Sequence, residues 1–310
     1  MSGQPIRIAL VGFGKIARDQ HVPTIAADPR FELAGVVEPG AVEDDLPHAT
    51  DLETLIATGP AFEAVAICTP PAVRCDLARR AIAAGKHVLL EKPPGVTAAE
   101  VTALLPAAQA AGVTLMTAWH SRYAAGVAPA RQWLSQQQAK GGRIVWREDY
   151  RVWHPGQDWI WRGDGMGVFD PGINALSILT ELGPGDWAVE SATLETPSNA
   201  ESPVRAELEL RRNDGLEVQA LFDFLHPGEP QWDLSIWTDA GDLTLSRGGA
   251  SLSVRGSPMA EGSDQEYAGI YADFAHLVEA GRSHVEVAPL EIVEQAMRRA
   301  ARVTGPALPG

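Results

Sequence analysis

IRIALVGFGKIA, residues 6–17, decides the fold of the first half of this chain. A short apolar run reads as a β-strand over Arg7–Val11, and the residues directly after it fit G-x-G-x-x-A at Gly12, Gly14 and Ala17. In that pattern the first glycine permits a tight turn and the second lets backbone approach a pyrophosphate. The small third residue lets the helix pack on the strand, and the helix amino end offers amides to an anion. A lone glycine pattern is weak evidence, so its surroundings matter.

Those surroundings agree. After a helix through about Ala27, strands are expected at Glu32–Val37, Ala64–Cys68, His87–Leu90 and Val113–Thr117. Helices are expected at Asp51–Ala57, with Thr50 and Glu53 as a capping box, at Val73–Ala84 and at Thr97–Ala111. Short, wholly apolar strands alternating with helices indicate a parallel sheet buried on both faces, a doubly wound Rossmann domain over residues 1–120. Glu38 ends the second strand about twenty residues beyond the glycines, where a carboxylate binds adenosine ribose hydroxyls. Pro39 and Gly40 come next, then Glu43, Asp44 and Asp45, with no arginine to hold a 2′-phosphate. NAD is favoured over NADP.

Beyond Trp119 the texture changes. After a helix at about 128–138, strand-like runs occur at Ile144–Tyr150, Val189–Glu195, Arg205–Arg211, Leu216–Phe224, Trp232–Trp237, Leu243–Ser246 and Leu252–Val254. Most alternate with a period of two, as in a sheet with one packed and one wetter face. A helix begins after Asp170, and others are expected at Ile270–Ala280 and Ile292–Val303. Strands in series without crossover helices indicate an α+β domain over 121–310 with a large, mostly antiparallel, open-faced sheet.

Composition narrows the partners. The 25 basic and 40 acidic side chains leave a net charge of -15, which disfavours nucleic acid and anionic membranes but is indifferent to a neutral polyol. Two cysteines, Cys68 and Cys75, form neither a disulfide framework nor a zinc motif, and no cluster has metal-ligand spacing. The run Ile6–Val11 is too short to span a membrane and lacks a leader cleavage site. A cytoplasmic protein is expected.

Lys92, in LLEKPP (residues 89–94), stands at the carboxyl end of a buried strand, where ligands bind in open α/β sheets. It could carry a proton, and a cis Lys92–Pro93 bond is possible there. Asp170-Pro171-Gly172-Ile173-Asn174 reads as a helix start with aspartate at the N-cap, and Asn174 falls on the same helical face. An acceptor beside a neutral amide suits the gripping of a sugar hydroxyl. Trp153, Trp159 and Trp161, with His154 among them, are read either as core or as an aromatic wall against a sugar ring. His120, after the fifth strand, lies at the same sheet edge, whereas His21, His48 and His87 have no such support.

GFGKIARDQH, LLEKPP, AWHSRY, WHPGQDWIW and GVFDPGINALSI together resemble the Gfo/Idh/MocA family, and within it the aldose 1-dehydrogenase branch, over nearly the whole chain. The resemblance implies oxidation of D-galactose, L-arabinose or D-fucose at C1 to the aldonolactone, by hydride transfer to NAD without a metal. It implies catalytic roles for Lys92, Asp170 and Asn174, sugar contacts from His120, Glu148, Trp153 and Trp232, and a homodimer associated through the sheet face. Candidate cofactor contacts are Gly12, Gly14, Lys15, Ile16, Glu38, Thr69, Pro70, Glu91 and Lys92. The wider family has histidine at the position of Asn174, and asparagine cannot titrate, so a histidine base there is excluded. Whether Lys92 or Asp170 takes the proton stays open, as do another polyol or cyclitol dehydrogenase and a catalytically silent NAD(P)-binding sensor.

Overall fold

The structure is a computed structural model that describes residues 4–42, 46–163 and 165–308, so the acidic triplet Glu43, Asp44 and Asp45 lies outside the described residues. The chain forms two compact units: Met1–His120 with Tyr267–Val287, and Ser121–Glu266 with Ala288–Gly310. The chain leaves the first unit at His120, and that unit also includes a later segment, which the expected single boundary did not provide for. The reason is packing. The helix Glu266–Ala280 buries Tyr267, Ile270, Tyr271 and Phe274, and Tyr271 meets Phe31 edge-on with ring centroids 5.0 Å apart. His284 then bridges to Met116 on the sheet edge.

Among the described residues, six parallel strands form the first unit's sheet. In spatial order they are His48–Ala49, Phe31–Val37, Ile6–Val11, Ala64–Ile67, His87–Leu90 and Leu115–Thr117. The central strands are apolar and buried, as a sheet covered on both faces requires. Local details differ from expectation. The helix after the glycine loop contains a π-helical turn at Ala17–His21 before Val22–Ala27. Pro106, which lacks an amide hydrogen, starts a new helix at Leu105–Ala111, so the expected single helix is broken after Ala98–Thr102. The capping box belongs to Thr97 and Glu100; at the expected site it is the Asp51 side chain that accepts from the Thr54 amide, at 2.7 Å.

Among the described residues, nine strands form the second unit's sheet, in the order Ser257–Glu261, Ser251–Val254, Gly241–Ser246, Gln231–Thr238, Ala139–Arg147, Glu217–Asp223, Arg205–Arg212, Trp187–Pro197 and Ala301–Gly305. Two pairings are parallel and the rest antiparallel. Along Arg205–Arg212 exposed and buried residues alternate, so one face is wet. The opposite face carries the helix Phe169–Glu181. Phe169 lies against Phe222, and a Cβ on Gly172 would stand 2.7 Å from the Phe222 ring, so only glycine admits that approach. The expected last helix ends at Arg299 rather than Val303, because Ala301–Gly305 pairs with the edge strand Trp187–Pro197.

Candidate active site

The glycine loop has the geometry its residues require. Gly12 has φ +87°, and a Cβ there would stand 2.9 Å from the Thr69 amide nitrogen. Above Gly14 nothing lies within 4 Å of a virtual Cβ, which leaves open space against the backbone. Glu38 reaches back from its strand, and its Oε2 accepts the Phe13 amide at 2.9 Å. Lys15, ion-paired to Asp19, and Ile16 are both exposed on the opening helix. Thr69 and Pro70 join a strand to the helix Pro71–Ala83, and the buried Thr69 Oγ1 has no hydrogen-bond partner among the described residues. An orphaned hydroxyl, open space at Gly14 and a carboxylate at the strand end fit a dinucleotide.

Lys92 lies just beyond the strand His87–Leu90, and its peptide bond to Pro93 is cis. A buried network fixes its backbone. Glu91 Oε2 accepts the Lys92 amide at 2.7 Å, while Glu91 Oε1 accepts the Tyr267 hydroxyl at 2.7 Å and His21 Nε2 at 3.1 Å. Tyr271 Oη lies 2.8 Å from His21 Nδ1. From the other side, the buried Arg74 guanidinium donates to the carbonyls of Glu91, Pro93 and Thr69. Burial alone would raise the Glu91 pKa, but hydrogen bonding and charge from His21, with His120 and Tyr267, hold it down at about 2. Burial works against a charge on His21 as well, yet Cys68, Tyr271 and Glu91 together keep its pKa well above the ordinary value. Burial pushes Tyr271 up to about 12.

His21 is thus a buried partner of Glu91 that its sequence context did not reveal. It lies on a helix that looks wholly structural, and its partner Tyr267 is far away in the chain. His120 stacks on the same Tyr267 at 5.8 Å. Trp119 is buried and donates its indole N–H to the Glu286 carbonyl, a packing role.

In the second unit a different cluster assembles. Glu148, just beyond the strand Ala139–Arg147, is 3% exposed. Its Oε2 accepts the Trp232 indole N–H at 2.7 Å and its Oε1 lies 3.0 Å from His154 Nε2. Trp153, 45% exposed, stands edge-on to Trp232 with centroids 5.1 Å apart. Asp170 is not the N-cap. Gly167, at φ +53°, turns the chain so that Val168 caps the helix and Asp170 is already its second residue. Its Oδ2 lies 3.6 Å from His154 Nδ1. Asn174, one turn on, is the half-buried residue of an otherwise buried stretch from Phe169 to Leu179.

Glu148, His154, Asp170, Trp153 and Trp232 therefore gather on one side of the unit's core, with Asn174 on the same helix as Asp170. Trp161 is half-buried against Tyr150 and Phe224, closer to the core reading than to a sugar wall. His154 is the member whose sequence context gave no sign of a role. Asparagine at 174 excludes a histidine base only at that position, because a tight turn after Trp153 delivers an imidazole to Asp170 from elsewhere.

Comparison with known proteins places both halves. Residues 6–119 match the family model described as the Gfo/Idh/MocA oxidoreductase family with an NAD-binding Rossmann fold. The galactose 1-dehydrogenase of Pseudomonas fluorescens is 43% identical over 301 residues, covering 97% of this chain and 98% of that protein. The crystal structure of D-galactose-1-dehydrogenase from Rhizobium etli superposes with a TM-score of 0.95 at 42% identity, covering 100% of this chain and 99% of the other. A 3-ketoreductase from Actinomadura kijaniata, 19% identical, shares the fold with a TM-score of 0.82 over 97% of this chain and all of its own. With its Rossmann unit and its mostly antiparallel sheet unit matched along nearly their whole length, the chain belongs to the Gfo/Idh/MocA family of oxidoreductases.

Proposed function

We propose that this oxidoreductase is an NAD-dependent aldose 1-dehydrogenase that oxidises the anomeric carbon of D-galactose, or of L-arabinose or D-fucose, to the aldonolactone. The observation that carries the proposal is the buried Glu148, bonded by the half-buried Trp232, on a chain that is 43% identical to a galactose 1-dehydrogenase over 97% of its length. Buried carboxylates with indole neighbours suit a neutral ring: carboxylate oxygens accept hydroxyls, and the exposed Trp153 offers an apolar face.

Held by Gly12, Gly14 and Glu38, NAD would supply the acceptor for the hydride that leaves sugar C1. The protein's own residues do the rest. Asp170 accepts a hydrogen bond from O1–H and removes its proton as the C1–O1 double bond forms. Asn174, one turn further along, orients the neighbouring hydroxyl. Lys92, with its backbone fixed through Glu91 and Arg74, stabilises negative charge developing on O1 and shares in the proton's transfer. Glu38 supports the choice of NAD, since a carboxylate ending that strand accepts ribose hydroxyls and repels a 2′-phosphate. A dimer formed through the wet sheet face fits the same reading.

The test is an absorbance assay at 340 nm with a panel of aldoses, run with NAD and with NADP, with hydroxylamine trapping of the lactone. Turnover of galactose with NAD and lactone release are expected. Lys92→Ala and Asp170→Ala should each lose orders of magnitude in turnover while still binding NAD. Wild-type turnover in both variants would overturn the assignment.

A further inference from the structure

We infer that His154 relays the substrate's proton: Asp170 takes it from O1, and His154 Nδ1 takes it from Asp170, with Glu148 holding the imidazole in place. The inference rests on the aldose dehydrogenase reading for the origin of the proton, and on the geometry of the Glu148–His154–Asp170 line for its path.

The tautomer is set by the partners. Glu148 Oε2 is occupied by the Trp232 indole, which can only donate, and Glu148 Oε1 lies 3.0 Å from His154 Nε2. An ionised carboxylate only accepts, so Nε2 carries the hydrogen and Nδ1 of the neutral ring presents a lone pair. Opposite that lone pair is Asp170 Oδ2 at 3.6 Å, also an acceptor when ionised. Two acceptors cannot bond each other, and Nδ1 is accordingly buried with no hydrogen-bond partner among the described residues. A single proton placed between them converts the gap into a charge-assisted hydrogen bond. The reaction releases one proton per turnover.

The steps balance. The C1 hydrogen would leave as a hydride, with the C1–H electron pair, to NAD held at Gly12, Gly14 and Glu38, and the O1–H proton moves to Asp170 as the carbonyl forms. Asp170 passes that proton to Nδ1, and the imidazolium so formed is neutralised by Glu148 across Nε2. Asp170 is then ionised again for the next sugar. Nδ1 is buried, so the imidazolium keeps the proton until the lactone leaves and water entering beside Asp170 accepts it. Phe224, edge-on with its centroid 5.1 Å from the imidazole, holds the ring's plane. The charged groups facing His154 from its own unit are Glu148 and Asp170, with Arg151, Asp158, Arg162 and Glu201 lining the same cleft.

His154→Gln tests the idea, because glutamine can still donate to Glu148 but cannot pass a proton. We expect kcat to fall about 100-fold or more, with the sugar KM within a few-fold of wild type. Added imidazole should restore part of the rate to His154→Ala. Near-wild-type turnover in His154→Gln would show that only the hydrogen bond to Glu148 matters and would overturn the relay.

An arm independent of turnover uses ¹⁵N-histidine spectra of the full chain, with His154 assigned by its loss in His154→Gln. The Nε2–H tautomer is expected, and Asp170→Asn, whose amide can donate to Nδ1, should shift the Nδ1 resonance. An Nδ1–H tautomer would overturn the relay, as would a spectrum indifferent to Asp170→Asn. If the wild type oxidises no aldose, the substrate reading falls, and the nitrogen spectra still decide the relay.

Discussion

Replacing His21 by leucine would strand a carboxylate in the interior of the nucleotide unit. His21 is fully buried and Glu91 is 3% exposed, and the Glu91 oxygens are bonded by His21 at 3.1 Å, Tyr267 at 2.7 Å and the Lys92 amide at 2.7 Å. Leucine fills the imidazole's space but removes the cation. Breaking a buried ion pair from one side costs about 3–5 kcal/mol, because the surviving charge is left uncompensated. At roughly 2–4 °C per kcal/mol for a chain of this size, the melting transition of the first unit should fall by about 6–20 °C at pH 7. Scanning calorimetry of the full chain would measure it, alongside Glu91→Leu and the double variant. Because a matched apolar pair is tolerated where a half-pair is not, the double variant should melt above the sum of the two single losses. The pH dependence has a defined sign. Glu91, depressed to about 2, contributes stability that is complete above its ordinary 4.5 and is lost as pH falls. His21, raised above its ordinary 6.5, contributes stability that is complete below that value and is lost as pH rises through the folded value. The wild type's advantage over His21→Leu should therefore be greatest between about pH 5 and 6.5. A single-variant shift under about 2 °C, or strict additivity in the cycle, would refute the ion pair.

Two further substitutions test other parts of the structure. Glu38→Ser should lower kcat/KM for NAD by about 10–150-fold, the worth of one charge-assisted hydrogen bond, while raising the relative rate with NADP; an unchanged cofactor ratio would refute the role given to the carboxylate. Gly172→Ala should destabilise the second unit by about 1–3 kcal/mol, since the new methyl would meet the fully buried Phe222 ring at 2.7 Å. Helix propensity alone predicts the opposite sign, a gain of about 1 kcal/mol, so a raised melting temperature would refute the packing argument.

What could be seen in the sequence was whatever depends on near neighbours. Gly12, Gly14 and Glu38 belong to one βαβ unit, so their spacing carried their geometry. The period-two runs likewise marked most strands of the second sheet. Pairings that depend on distant partners stayed hidden. Ala301–Gly305 reads as the tail of a helix because its strand character comes from Thr193–Pro197, which it joins as an exposed edge. Tyr271 looks like an ordinary helix residue, and Tyr267 falls just ahead of the expected helix, until they meet His21 and Glu91. Asp170 precedes a proline and so reads as a cap, but the turn at Gly167 lies upstream of that local signal. His154 looks like one more polar residue among tryptophans, since a strand end, a short turn and a helix must all be placed before it faces two carboxylates.

The return of Tyr267–Val287 to the first unit also bears on how the chain is made. A ribosome that has finished residue 120 has released five of the sheet's strands with their crossovers and is completing the sixth, but Phe31 and the lower edge of Leu115–Thr117 still lack their cover. That cover emerges only after the second unit's sheet has been synthesised, roughly 10–30 s later at ordinary elongation rates. For that interval the nascent nucleotide unit presents apolar surface and a Glu91 carboxylate that still lacks the Tyr267 hydroxyl. A shortened chain stopping near residue 120 would keep that surface permanently, so insolubility of such a fragment would come from a missing helix rather than from a faulty Rossmann sheet.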